Sequence, residues 1–132
     1  MSRPVEYLDL DDVLSLAERL LGTSLAVRDL GLLGSAVARP QTTVGGADAY
    51  SDVWTKAAAL LQSIVNNHAL VDGNKRLGWL TTAVFLDLND VRATAASNDD
   101  VFELVMEVAS IHVELDSLAE RLRRMVTETD TG

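Results

Sequence analysis

Apolar residues recur at intervals of three and four along most of the chain, the spacing that lines one face of an α-helix. Leu10, Val13, Leu14, Ala17, Leu20 and Leu21 keep this period. Asp9, Asp11 and Asp12 supply a cap and complement the positive helix end, and Gly22 stops the helix. A shorter helix is predicted from Asp29 to about Ala38, with Leu30, Leu33 and Val37 inward and Pro40 ending it. From Gln41 to Tyr50 the period is lost and two glycines adjoin, which predicts a loop or a short hairpin-like flap. Ser51 is then expected to cap a long helix reaching about Asn67, with Trp54, Ala57, Ala58, Leu61, Ile64 and Val65 buried. Its Ala-Ala-Ala-Leu-Leu core is apolar almost all round, as in a central helix. Another strongly apolar helix is predicted from Asn74 to Leu88, carrying Leu77, Trp79, Leu80, Ala83, Val84 and Phe85 and closed by Asn89-Asp90. A fifth begins at the Asn98-Asp99-Asp100 cap and carries Val101, Leu104, Val105 and Val108. A sixth, from about Asp116 to Val126, carries Leu118, Leu122 and Met125. There is neither an internal repeat nor a low-complexity segment. The expected fold is all-α: one domain over residues 1–132, a bundle of about six helices with a flap at about 39–50 and a tail at 127–132 that frays.

Composition narrows the class. With 132 residues the chain builds one hydrophobic core, and 48% apolar with 23% charged residues is ordinary for a globular protein. The absence of cysteine excludes disulfides and cysteine-ligated metals. The first seven residues hold no apolar run suited to a signal peptide, and no stretch approaches the roughly 18 to 20 apolar residues that span a bilayer. These features predict a cytoplasmic protein without a membrane partner.

A net charge of −9 argues against direct nucleic-acid binding, which rests on neutralising phosphates. The excess is uneven. Residues 91–132 carry 9 acidic against 4 basic side chains, whereas residues 51–90 carry 4 against 3. An anionic small ligand is therefore tolerable only near the middle of the chain or beside the isolated arginines of the first third.

The middle also holds the unusual chemistry. The turn between the two most apolar helices reads His68-Ala69-Leu70-Val71-Asp72-Gly73-Asn74-Lys75-Arg76. A plain connection between core helices needs few residues and no such concentration of polar groups. Gly73 lets the backbone turn tightly and approach a ligand. The helix start beyond it offers unpaired N–H groups and a positive dipole end, to which Lys75 adds a point charge and Arg76 a bidentate fork. Cations are locally unfavourable at a helix N-terminus, so their presence there points to a bound anion. Asp72 is out of place beside phosphate unless it holds a divalent cation such as Mg²⁺. His68 brings the side-chain type that exchanges a proton near neutral pH, suited to a general base towards a hydroxyl. A base, a metal-binding carboxylate and a phosphate cradle together describe phosphoryl or nucleotidyl transfer.

The run resembles the signature of the Fic/Doc family, roughly His-x-Phe-x-Asp-Gly-Asn-x-Arg. Lysine at position 75 matches the Doc (death-on-curing) toxin branch of the Phd/Doc toxin–antitoxin systems, where AMP-transferring Fic enzymes usually have glycine. The stretch Gly31-Leu32-Leu33-Gly34-Ser35-Ala36-Val37-Ala38-Arg39-Pro40-Gln41 and the Lys56–Leu61 segment are similar to Doc-like chains as well, so the likeness covers about residues 5 to 125. Two positions depart from the pattern: Leu70 stands for the phenylalanine, and Trp79 is larger than the small or polar residue expected.

The resemblance implies a catalytic set of His68, Asp72 and Arg76, with Asp72 binding Mg²⁺ and Gly73, Asn74, Lys75 and Arg76 holding the phosphates of ATP. It implies that a flap containing Arg39, Gln41 and Thr42 aligns the substrate protein by strand-like pairing. The implied activity is a protein kinase-type transfer of the ATP γ-phosphate to a threonine of elongation factor Tu, arresting translation. A Phd-type antitoxin helix laid in a groove would neutralise it, since no inhibitory Ser/Thr-x-x-x-Glu-Gly helix is present. The alternatives are AMP transfer of the Fic type, which a side chain at Lys75 would crowd, and a catalytically inactive helical binding module.

Other candidates read more plainly. His112 has no convergent partners and is expected to be structural or exposed. Arg39 is equally suited to complementing a helix C-terminus. Lys56 is expected on a solvated or ligand-adjacent side of its helix, and Trp54 and Trp79 in the core.

Overall fold

The computed structural model describes residues 3–93 and 96–130. Six α-helices follow in order: α1 (Leu10–Leu21), α2 (Leu30–Ala38), α3 (Val53–Asn67), α4 (Asn74–Leu88), α5 (Asn98–Ser110) and α6 (Leu115–Asp130). Between α2 and α3 lies a two-stranded antiparallel hairpin, β1 (Thr43–Val44) and β2 (Ala47–Asp48), pairing Thr43 with Asp48 and Val44 with Ala47. The all-α expectation holds, with this hairpin as the flap. Among the described residues no helix is long and apolar enough to cross a membrane.

The caps explain most boundaries. Asp9 forms a capping box with Asp12 at α1, and Gly22 ends that helix at φ 54°. Asp29 accepts from Leu32 N–H to start α2. At α3 the cap is Asp52, not Ser51: its carboxylate accepts from Thr55 N–H at 2.8 Å while Thr55 Oγ1 faces back to Asp52 N–H. Only Asp52 has a hydroxyl three residues on to close a reciprocal box, which decides between two cap-competent neighbours. Ser97 rather than Asn98 caps α5, accepting from Asp100 N–H. The last helix continues four residues beyond Val126, to Asp130, and residues 131 and 132 of the expected tail lie outside the described residues.

The core forms around α3, which packs against α2, α4, α5 and α6. Its Ala57–Leu61 stretch is buried on every side, as the unbroken apolar run requires. Gly78 lets α4 approach: a Cβ there would lie 2.7 Å from Val65 Cγ2. Asn89, the C-cap of α4, ties down the N-terminal segment by exchanging bonds of 2.9 Å with the backbone of Glu6.

Burial corrects several expectations. Leu30 is 50% exposed, because the first turn of α2 projects beyond the face that Leu33, Ala36 and Val37 bury. Leu88 is exposed at the end of its helix, and Trp54 and Trp79 are half-buried at the core margin. Lys56, expected on an accessible face, is 1% exposed. Its amine pairs with Asp48 Oδ2 at 3.0 Å, donates to the Tyr50 carbonyl and lies 5.9 Å from the Tyr7 ring centre. The burial is stable because the charge is matched and hydrogen-bonded there. His112 is exposed.

Candidate active site

The loop from α3 to α4 is held by backbone and side-chain bonds on both sides. The segment before α2 runs beside it: Arg28 and Asp29 N–H donate to the Ala69 carbonyl at 2.8 and 3.0 Å, and Val71 N–H donates to Ala26 O at 2.9 Å. Val27 and Leu70 form an isolated antiparallel bridge. The Leu70 side chain is fully buried, so leucine supplies the apolar anchor at this position. The Asn74 carboxamide clamps the same residue, accepting from Leu70 N–H and donating to its carbonyl, each at 3.0 Å. Asn74 thus fixes the loop through its side chain, while its backbone N–H stands at the uncapped start of α4.

His68 ends α3 in the left-handed region, at φ 53° and ψ 43°, and its carbonyl accepts from Arg28 Nη2. A non-glycine residue there is conformationally strained, a condition that surrounding bonds must maintain and that concentrates at functional positions. Gly73 occupies the N-cap of α4 at φ 92°. The positive φ favours glycine there, and a Cβ would come within 2.9 Å of the Leu21 methyls, which would have to move aside. Its N–H donates to Asp72 Oδ1 at 2.8 Å, which orients that carboxylate.

No side chain caps α4, so the first-turn N–H groups of Asn74, Lys75 and Arg76 open the helix bare. Lys75 and Arg76 are exposed at this end and place two full charges where the dipole is already positive. His68, Asp72, Gly73, Asn74, Lys75 and Arg76 line one cavity of about 310 Å³ with Val65, Val71 and Ala109. All six residues singled out in the loop therefore surround a common space. Among the described residues no three His, Asp or Glu side chains gather to hold a metal. A cation here would rest on Asp72 together with ligand oxygens and water, as Mg²⁺ does at nucleotide sites.

The flap residues stand apart from that cavity. Arg39 and Thr42 line a second space of about 490 Å³ with Ser35, Ala38, Ser63 and Asn67. Arg39 turns inward, donating to the Tyr50 hydroxyl (3.0 Å), Ala59 O (3.3 Å), Gln62 Oε1 (3.0 Å) and Ser63 Oγ (2.8 Å). Gln41 is exposed at the end of a short 3-10 turn, and the Thr42 hydroxyl donates to the Arg39 carbonyl. Beyond them Gly45 and Gly46 turn the hairpin with φ 59° and 84°, the paired left-handed angles of a tight two-residue turn. Trp79 lies away from His68, in a third, apolar groove of about 520 Å³ among Leu20, Leu80, Val101, Phe102 and Met106 that Lys75 and Arg76 also border.

Arg28, Lys56 and Asn67 are contributors that sequence reading does not find. Arg28 and Asn67 act through partners distant in the chain, and Lys56 through Asp48 and Tyr50 in the flap just before its helix, so no helical period marks them.

Residues 7–86, more than half of the chain and including the whole His68–Arg76 loop, match the family model described as the Fic/DOC family. A relative, Toxin Doc of Mycolicibacterium smegmatis (strain ATCC 700084 / mc(2)155), is 51% identical over 128 residues, covering 96% of this chain and 98% of its own length. A loop of this composition and geometry, in a chain matched over nearly its full length, places the protein in one group: it belongs to the Fic/Doc family.

Proposed function

We propose that this chain is a Doc-like toxin that transfers the γ-phosphate of ATP to a threonine hydroxyl of a protein, with elongation factor Tu as the expected target. The observation that carries the reading is the convergence of His68, Asp72, Lys75 and Arg76 on one cavity at the uncapped start of α4. Bare N–H groups, a helix dipole and two cations fit a phosphate chain. The free oxygen of Asp72 fits a Mg²⁺ ion shared with phosphate oxygens, and such an ion would offset charge building on the transferred group.

The roles follow from chemistry. His68 accepts the proton of the substrate hydroxyl as its oxygen attacks the γ-phosphorus and the bond to the β-phosphate oxygen breaks, releasing ADP. Lys75 and Arg76 hold phosphate oxygens, and Asn74 keeps the loop in shape through Leu70. Arrest of translation would be the consequence in a cell, and the name of the relative, Toxin Doc, supports that reading.

A toxin of this kind is partnered by an antitoxin. The apolar groove beside α4 suits an amphipathic Phd-type helix whose acidic residues meet Lys75 and Arg76 at its border. An antitoxin seated there would lie against two residues of the site.

The test is incubation with Mg²⁺, elongation factor Tu and ATP labelled at either the γ- or the α-phosphate. Label arriving from γ alone is the expected result. Label from α would replace the kinase reading with AMP transfer, and no label from either, with folded protein, would overturn the elongation factor Tu assignment. His68→Ala should lower transfer by about 10²- to 10⁴-fold, the usual contribution of a general base, with an unchanged melting temperature. Transfer undiminished in that variant would remove His68 from the role.

A further inference from the structure

Arg39 is the residue whose surroundings the proposed transfer does not use. Its guanidinium is half-buried, and Nε and Nη1 are engaged by a phenol, a backbone carbonyl, a carboxamide and a serine hydroxyl. All four are neutral. Among the described residues no carboxylate pairs with Arg39, in a chain of net charge −9 that pairs even its exposed Arg123 and Arg124 with Glu120. Nη2 has no bonding partner among the described residues. A half-buried guanidinium without a counter-charge, with one nitrogen still open, is a site prepared for an anion.

We propose that the cavity of about 490 Å³ beside Arg39 is a subsite for an acidic side chain of the protein substrate. Arg39 supplies the charge, with the Ser35 and Ser63 hydroxyls beside it. Ser63 is 5% exposed and forms the buried wall, while Ser35, Ala38 and Thr42 are exposed and leave the cavity accessible. Arg39 is the single cation among the lining residues. That matches the single charge of a carboxylate, whereas a phosphate dianion would be half compensated and finds two cations at Lys75 and Arg76. The cavity also adjoins both the flap and the residue that precedes His68. Thr42, in its lining, leads directly into the flap hairpin, and Asn67, in the same lining, precedes His68. An acidic residue a short distance from the acceptor hydroxyl would thereby set which threonine reaches His68.

This inference rests on the proposed transfer to a protein hydroxyl, but its test reads binding alone, so it fails separately from that reading. The probes are the capped tripeptide acetyl-Glu-Thr-Gly-amide, its glutamine twin and inorganic phosphate, titrated against the isotope-labelled protein by NMR. The glutamate peptide should shift the Thr42, Ser63 and Asn67 amides and the Arg39 Nε–H in a saturable way. The glutamine twin should bind about tenfold more weakly, the loss of one charge-assisted contact. Arg39→Gln should abolish the difference between the two peptides. Equal responses to the two peptides on the unaltered protein would overturn the proposal without relying on any variant's folding. Shifts centred on Lys75 and Arg76, or phosphate saturating the Arg39 cavity where the glutamate peptide does not, would overturn it as well.

Discussion

Lysine amines are costly to remove from water, yet Lys56 is 1% exposed beneath the flap. Its partners identify the reason: Asp48 closes β2 and Tyr50 begins the return to α3, so one ammonium holds the base of the hairpin. Lys56→Met keeps the apolar stem and removes the charge. Asp48 is 55% exposed and can be rehydrated, whereas the Tyr50 carbonyl loses its donor. The expected cost is about 1–3 kcal/mol in denaturant unfolding, the penalty for an orphaned polar group. Hydrogen exchange should accelerate at the flap amides and stay slow in α3, and unchanged flap exchange would detach Lys56 from the hairpin. None of this was legible in the sequence, where Lys56 opens an apolar run and reads as an accessible charge. The residues from His68 to Arg76 were legible because they are contiguous and chemically improbable together. Arg39 and Lys56 draw their meaning from Gln62, Ser63 and Asp48, which only folding brings near.

At the scale of elements, α3 and α4 carry the site on their facing ends, and the distance between them is set at Gly78. An alanine there would gain about 1 kcal/mol of helix propensity. Its methyl would also stand 2.7 Å from Val65 Cγ2 and 3.4 Å from Leu61 Cδ1. Val65 is β-branched and buried on the opposing helix, so it cannot swing aside, and overpacking of this kind costs about 1–3 kcal/mol. The clash should win: Gly78→Ala is expected to lower stability by about 1–2 kcal/mol in thermal or denaturant unfolding. Combining it with Val65→Ala should cost less than the two changes summed, since the second makes room for the first. Strict additivity would mean the helices are not in contact at this point. Helix periods were readable from the chain because each buries one stripe or, in α3, all sides. The helix starts at Asp52 and Ser97 and the outward turn at Leu30 were not, because adjacent cap-competent residues and a leucine in register look equivalent until the partner surfaces exist.

Across the whole molecule the polar and apolar surfaces are arranged around Lys75 and Arg76. One side of this pair opens to the His68 cavity, and the other borders the groove between α4 and α5. Phe102 and Met106 stand 68% and 40% exposed there, beside Trp79 and Val101, which are half-buried. Large apolar side chains grouped in this way mark a surface that another molecule covers. If a Phd-type helix is that molecule, Phe102→Asp should disrupt the complex in two ways. It removes an anchor and sets a carboxylate against the helix's own apolar face. An aromatic anchor at the centre of an interface is worth about 2 kcal/mol, or roughly thirtyfold in affinity. The variant should keep its melting temperature within the range of surface substitutions and keep its transfer activity, because Phe102 lies outside the His68 cavity. Calorimetric titration with the antitoxin measures the first effect and the labelling assay the second. Loss of antitoxin binding with retained transfer would separate the groove from the chemistry. Unimpaired binding would move the antitoxin to another face, and lost transfer would mean that α5 supports the site through Ala109, its one residue in the wall of that cavity.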